Sequence, residues 1–424
     1  MAREASTEWR ARGTRDAMEN RLGNHREPAP RGYPRGVRLG MTTSAFLSQF
    51  WQKKPLFVKS AMPGFRDPLT PDELAGLACE DAVESRLVDS KTWRVTFGPQ
   101  KEKTLRALPK TNWTLLVQEV QRFVPEAAEL LDAFSFLPNH RIDDVMVSFA
   151  PKGGNVGPHD DSYDVFLLQG QGRRRWKIDA RKNRDRTLKS NLDLKILKRF
   201  QPQEEQVLER GDLLYLPPGV AHHGVALDDC LTYSIGFRAP NCRELWRELV
   251  SDASHTPEAA ELYRDPNVVE CKHPGEIDEA SLVRVRKMVR ALDLSNDAID
   301  RFFGRFATRL KPGHELEPAL KMASEASVRA AWLHGDAFVR SEECRFSFLR
   351  RPKKILFYYG GHEVEVASSL ALLVETITSR RRFSRADVPR GVDSSSATIT
   401  LLTNLLNDGA LTFARSGRGK SARQ

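Results

Sequence analysis

The spacing of apolar positions changes character three times along the chain. In "TTSAFLSQFWQKKPLFVKS" (42–60) the apolar residues recur at helical spacing and then, past Pro55, form a short run, which predicts a small amphipathic helix leading into a strand. The next segment, "DPLTPDELAGLACE", carries a strong helix start, with Thr70 as N-cap, Pro71 at the first helical position and Glu73 closing a capping box. A second helix is predicted from Thr111 through "TNWTLLVQEVQRFV". From Asp143 the period shortens. "DVMVSFA", "YDVFLLQG", "RRRWKIDA", "EQVLERGDLLYLPP", "HHGVAL" and "CLTYSIGFR" are short β-rich segments broken by Gly, Pro and Asp, the pattern of a sandwich or small barrel over about 143–240.

Helical spacing returns after "APNCREL", in "RELWRELVSDA", "SLVRVRKMVRALDL" and "AIDRFFGRFATRL", and predicts a helical domain over 243–325. The stretch 326–412 mixes β segments around a Gly-Gly turn, "CRFSFLRRPKKILFYYGGHEVEVAS", with helices in "SLALLVETITS" and "TITLLTNLLNDGAL". A winged-helix-like α+β module fits that mixture. The expected class is therefore mixed α/β and multidomain, which a length of 424 residues with 40% hydrophobic positions can support.

Charge alters this picture only at the ends and at one internal run. Of the net +10, residues 1–38 supply nine Arg against five acids and 411–424 add four bases and no acid, so the two tails account for +8. Both 1–38 and 413–424 are expected to be basic tails without fixed structure. Between Arg173 and Arg199 twelve bases face three acids. Such a run is a solvated face or, together with the basic tails, a weak contact for RNA, and it lacks the interleaved aromatics of a base-stacking platform. No run of about 18 apolar residues and no secretory core is present, so the expectation is a cytoplasmic protein without a membrane span. The five cysteines are far apart and never paired as C-x-x-C, which argues against a zinc ribbon or a disulfide scaffold.

The candidate chemistry lies in "GPHDDSYDVF". On a strand, residues two apart share a face about 6.5–7 Å apart, so His159 and Asp161 can converge on one metal ion while Asp160 points away and Asp164 has the wrong parity. A partner histidine follows a strand and a Pro-Pro-Gly turn in "GDLLYLPPGVAHHG", where composition leaves His222 and His223 both open. Two imidazoles and one carboxylate make the facial triad of non-haem Fe(II) oxygenases, which leaves positions for a 2-oxo acid and O₂. The far carboxylate of that acid needs a cation, and "GRRRWKI" offers guanidinium forks.

At this point the motifs resemble a known family. "GGNVGPHDDSYDVFLLQGQGRRRWKI", "RGDLLYLPPGVAHHGVAL" and "YSIGFRAPNCREL" look like the JmjC-type ribosomal oxygenases, specifically the bacterial arginine hydroxylases of large-subunit ribosomal protein sixteen. "DPLTPDELAGLA", "SRLV", "TNWTLLVQ" and "RIDDVMVSF" are similar too, so the resemblance runs from about Met41 to Arg243 and more loosely beyond.

The resemblance implies a double-stranded β-helix (cupin/JmjC) core over 39–242, a helical dimerisation domain over 243–325 and a winged-helix-like domain over 326–412. It also implies His159, Asp161 and His222 as iron ligands, and Arg174 with Ser148 as the 2-oxoglutarate contacts. The family's Pro-x-Gly-x-x-His pattern selects His222, and His223, as its strand neighbour, should face the other way. The implied reaction is Fe(II)- and 2-oxoglutarate-dependent hydroxylation of an arginine β-carbon, by a homodimer, in a large-subunit ribosomal protein.

Three departures bear on the substrate: Asp160 in place of an apolar residue, the basic loop after Ile178, and the N-terminal tail. A basic surface at the site would repel an arginine, and Asp143, Asp144, Asp160 and Asp164 could offset it. The competing readings are a ribosomal histidine hydroxylase, a histone-type lysine demethylase, and a nucleic-acid-binding regulator that uses a cupin as sensor.

Overall fold

The computed structural model describes residues 36–414 apart from 182–184, 255–256, 267–269, 271–274, 276, 312–313 and 389–394. The expected tails therefore fall almost wholly outside the described residues. The chain forms two compact units, one ending at Ala239 and the other beginning at Pro240. No helix among the described residues is long and apolar enough to cross a membrane.

The first unit begins as its pattern predicts. Helix α1 (Thr43–Gln49) is capped by the Thr42 side chain, and strand β1 (Leu56–Val58) follows Pro55. Helix α2 (Pro71–Leu77) carries the complete Thr70/Glu73 capping box. Then come β2 (Ser85–Asp89), β3 (Val95–Phe97), α3 (Glu102–Arg106), β4 (Trp113–Val117), α4 (Pro125–Asp132) and the long β5 (Ile142–Ala150). Two sheets enclose the site. Strands β6 (His159–Asp160), β7 (Asp164–Gln169), β8 (Arg174–Asp179), β9 (Glu204–Leu208), β10 (Leu213–Leu216), β11 (Ala221–Ala226) and β12 (Cys230–Phe237) divide between them. The larger sheet runs β1-β10-β7-β12-β5-β4-β2-β3 and the smaller β6-β11-β8-β9. Together they form the double-stranded β-helix core.

Two expectations need correction here. The segment after Thr111 is not a helix but strand β4, paired with β2 on one side (Leu115↔Leu87) and β5 on the other (Leu116↔Ser148). Its apolar run is buried from Thr114 to Val117, and two flanking partners override local helical spacing. The β core also begins well before residue 143, because β1 to β4 extend the larger sheet at both edges.

Strand parity sorts the interior. Odd positions of β5, such as Val145 and Val147, join Phe46, Leu74, Leu130, Phe166, Tyr215 and Tyr233 in the main core. Val165 and Leu167 of β7 turn the other way and meet Trp176 and Ile178 of the smaller sheet. The inter-sheet space is thus apolar at the β7–β10 end. Toward β5 and β12 it receives the polar even positions Asp144, Ser148, Thr232 and Ser234, all buried.

The second unit contains α5 (Cys242–Ala253), α6 (Glu279–Arg290), α7 (Asn296–Thr308) and α8 (Glu325–His334). Strands β13 (Phe338–Arg340), β14 (Phe346–Arg350), β15 (Lys354–Tyr359), β16 (His362–Ala367), β17 (Arg382–Phe383) and β18 (Leu411–Phe413) follow, with α9 (Ala371–Ser379) and α10 (Ser396–Asn407). Trp332, Phe338, Phe357, Ile377, Phe383 and Leu402 centre its core. Arg305 of α7 bridges Asp252 of α5 at 2.7 Å and Glu363 of β16 at 2.9 Å.

Candidate metal centre

Strand β6 is only two residues long and pairs with β11 through His159↔His222 and Asp160↔Ala221. Cross-strand partners share a face, so the two histidines point into the space between the sheets and Asp160 points out. The tight entry to β6 depends on Gly157, whose φ of 80° suits glycine and whose missing side chain leaves room for Ile196. Asp161, just past the strand, is fixed through its backbone carbonyl, which accepts from the Gly219 N–H at 2.7 Å.

His159, Asp161 and His222 come together, with one ligand atom from each inside a 4.8 Å radius of the others. The His159 and His222 rings lie 4.3 Å apart, and His222 Nε2 is 3.6 Å from Asp161 Oδ2. Each Nδ1 sits against the carbonyl two residues earlier, His159 on Gly157 at 2.9 Å and His222 on Val220 at 3.1 Å. An Nδ1–H donated to a carbonyl leaves Nε2 as the free lone pair, the tautomer a metal requires. Burial, and then the neighbouring His159, push His222 down to about 4, so its imidazole is neutral at neutral pH. This donor set, two neutral imidazoles and one carboxylate on one face, fits a divalent ion of the Fe(II) type.

The register also separates the three consecutive arginines. Arg174, Trp176 and Ile178 of β8 stand opposite Ala226, Gly224 and His222 of β11, on the metal-facing side, while Arg175 and Lys177 face outward. Gly224 is required there, since a Cβ at that position would lie 2.6 Å from the Trp176 ring. Arg174 is buried, its Nη1 donates to Ser148 Oγ at 3.3 Å, and its Nε and Nη2 have no partner among the described residues. A buried guanidinium with two unpaired donors, inside the same barrel as the triad, fits a carboxylate of the co-substrate.

The acidic residues divide differently from expectation. Asp164 does not offset the basic loop, because it is fully buried and accepts from Tyr215 at 2.6 Å, Arg141 at 2.9 Å and Gln52 at 3.0 Å. Asp160 lies on the outer face, 4.0 Å from Arg186. Asp143 and Asp144 remain, beside the partly exposed Tyr163, whose phenol is raised well above its usual range by burial and then by Asp161, Asp144 and Asp143.

The basic run behaves similarly. Arg175 and Lys177 approach Glu205 at 3.2 and 3.7 Å, Arg181 bridges Asp179 at 2.7 Å, and Phe200 packs on the outward His223 with ring centroids 6.1 Å apart. Within this run, Arg175 and Lys177 lie on the face of β8 opposite the one that carries the triad. Sequence reading missed Tyr163 and Asn155. Tyr163 shares the parity of Asp161 and could have been found, whereas Asn155 looks like any turn residue.

Comparison with known proteins agrees with this geometry. A JmjC domain family model matches residues 129–245. The chain is 40% identical over 297 residues to the ribosomal protein uL16 3-hydroxylase of Escherichia coli, covering 70% of this chain and 79% of that protein. It is 41% identical over 212 residues to a probable ribosomal oxygenase of Haemophilus influenzae, covering 48% and 52%. The structure of an E. coli ribosomal oxygenase in complex with cobalt and 2-oxoglutarate superposes with a TM-score of 0.73 at 33% identity, covering 89% of this chain and 99% of that one. The chain belongs to the family of JmjC-domain ribosomal oxygenases.

Proposed function

We propose that the chain is an Fe(II)- and 2-oxoglutarate-dependent dioxygenase that hydroxylates the β-carbon of an arginine in a large-subunit ribosomal protein, in the cytoplasm. One observation carries the reading: His159, Asp161 and His222 converge on the barrel face that also holds the buried Arg174 with two unpartnered donors. In this reading the three side chains hold the metal, and Arg174 with Ser148 anchors the far carboxylate of 2-oxoglutarate. When bound, the iron supplies activation of O₂ and of the 2-oxo acid, with succinate and CO₂ as co-products. Val165, Leu167, Leu214 and Leu216 form an apolar wall that keeps water from the reacting space. Asp143 and the buried Asp144, beside the neutral phenol of Tyr163, place negative charge suited to a guanidinium near the site, and Arg175 and Lys177 of the basic run face the other side of the smaller sheet.

The site is one part of a larger proposed organisation. The helical stretch 243–325 serves as the dimerisation domain, with Trp246 and Val250 of α5 on one helical face at 68% and 57% exposure. Residues 326–412 form the winged-helix-like domain. Lys189, Lys195 and Lys198 offer a minor contact for RNA phosphates. The test is reconstitution with Fe(II), 2-oxoglutarate and unmodified uL16, followed by fragment-ion mass spectrometry. Oxygen on an arginine supports the proposal, while oxygen on a histidine, or loss of a methyl group from a methyl-lysine peptide offered in a parallel reaction, would favour the other chemistries of the superfamily.

A further inference from the structure

We propose that Asn155 and His223 are positioning residues that brace the two histidine-bearing strands against each other, a role that rests on the ligand reading above. Strand β6 needs such support. It is the edge strand of its sheet, and only two of its residues pair with β11. A strand that short has few ladder bonds to keep His159 and His222 at a fixed separation.

The brace is built on one oxygen. Asn155 Oδ1 accepts from the Gly157 N–H at 3.0 Å and lies 3.1 Å from His223 Nε2. The carbonyl of that same Gly157 holds the His159 ring through Nδ1 at 2.9 Å. His223 is the chain neighbour of His222 and stands on the opposite face, so it cannot reach the metal side. A continuous path therefore runs from the His159 ring through Gly157, Asn155 and His223 to His222. Asn155 is itself immobilised. Its Nδ2 donates to Gly153 O at 2.9 Å, its N–H donates to Ser90 Oγ at 2.8 Å, and Ser90 Oγ donates to Asn155 O at 2.6 Å. With the brace intact, the spacing of the two imidazoles is set before any ion arrives. Without it, β6 is free to splay from β11, and closing the triad costs affinity.

The test is Co(II) binding to the full chain, followed by calorimetry and by the visible d–d bands, which report ligand geometry without turnover. His223→Ala and Asn155→Ala should each weaken cobalt binding by about 10-fold and alter the bands. The double variant should be no weaker than either single one, because both remove the same link. His223→Gln, which restores an N–H donor at similar reach, should return affinity and spectrum close to wild type. Should His223→Ala fail to fold by circular dichroism, His223→Leu against His223→Gln makes the same comparison.

His159→Ala serves as the reference. If it abolishes binding while the Asn155 and His223 variants bind cobalt as wild type does, the brace is refuted and the ligand assignment stands. If His159→Ala binds cobalt normally, the ligand assignment falls and the brace with it. A loss that His223→Gln does not repair would also overturn the brace, since it would mark His223 as a packing residue alone.

Discussion

Replacing Arg174 by lysine isolates the co-substrate contact from the metal. The guanidinium presents Nε and Nη2 without partners and shares Nη1 with Ser148 at 3.3 Å, so two charge-assisted bonds are available to a carboxylate. Each such bond contributes about 1.5–3 kcal/mol, so the fork is worth roughly 3–6 kcal/mol. Lysine keeps the charge as a point donor and loses the planar fork, retaining about half of that. The expected loss is about 1.5–3 kcal/mol, or a rise of about 10–150-fold in the KM for 2-oxoglutarate. The assay is succinate formation across a 2-oxoglutarate titration, with Co(II) affinity measured in parallel and expected to be unchanged. Arg175→Lys is the control, because Arg175 faces outward and pairs with Glu205 at 3.2 Å. An unchanged KM in Arg174→Lys, or an equal rise in Arg175→Lys, would refute the assignment.

Other consequences follow from the same geometry. Gly224→Ala drives a methyl group to within 2.6 Å of the buried Trp176 ring, and should lower stability in urea unfolding by about 1–3 kcal/mol. His222→Ala should abolish succinate formation, whereas His223→Ala should reduce it without abolishing it; the reverse ranking would overturn the choice between the two. In metal-free protein, His222 stays neutral down to about 4 while the unfolded chain takes up that proton near 6.5. Its contribution to stability is therefore complete above the unfolded value and is lost as pH falls through that window, by up to about 3 kcal/mol. Urea midpoints in EDTA at pH 7 and pH 5 that coincide would contradict this. Trp246→Glu combined with Val250→Asp should convert a dimer to a monomer in light scattering, and a persistent dimer would remove α5 from the proposed interface.

What the sequence made legible is whatever depends on short range. The Thr70–Glu73 capping box, the parity of His159 and Asp161 and the outward placement of Asp160 are set by residues a few positions apart, and the structure has all three. The choice of Arg174 within its triplet rests on family resemblance, and only the β8–β11 register, which sets Arg174 opposite Ala226, puts it on the same face as His222. Strand β4 was misread because its conformation is decided by β2 and β5 rather than by its own spacing. Asp164 looked like one more surface acid until Tyr215, Arg141 and Gln52, remote in sequence, closed around it. Asn155 is similar, since His223, which completes its network, lies 68 residues away.

The most direct measurement of the proposed activity is the intact mass of ribosomal proteins from cells with and without the gene, complemented by wild type or by Asp161→Ala. One large-subunit protein should carry an extra oxygen, located on an arginine, only where the wild-type gene is present. Identical masses in all three strains, or an oxygen that persists with Asp161→Ala, would contradict it.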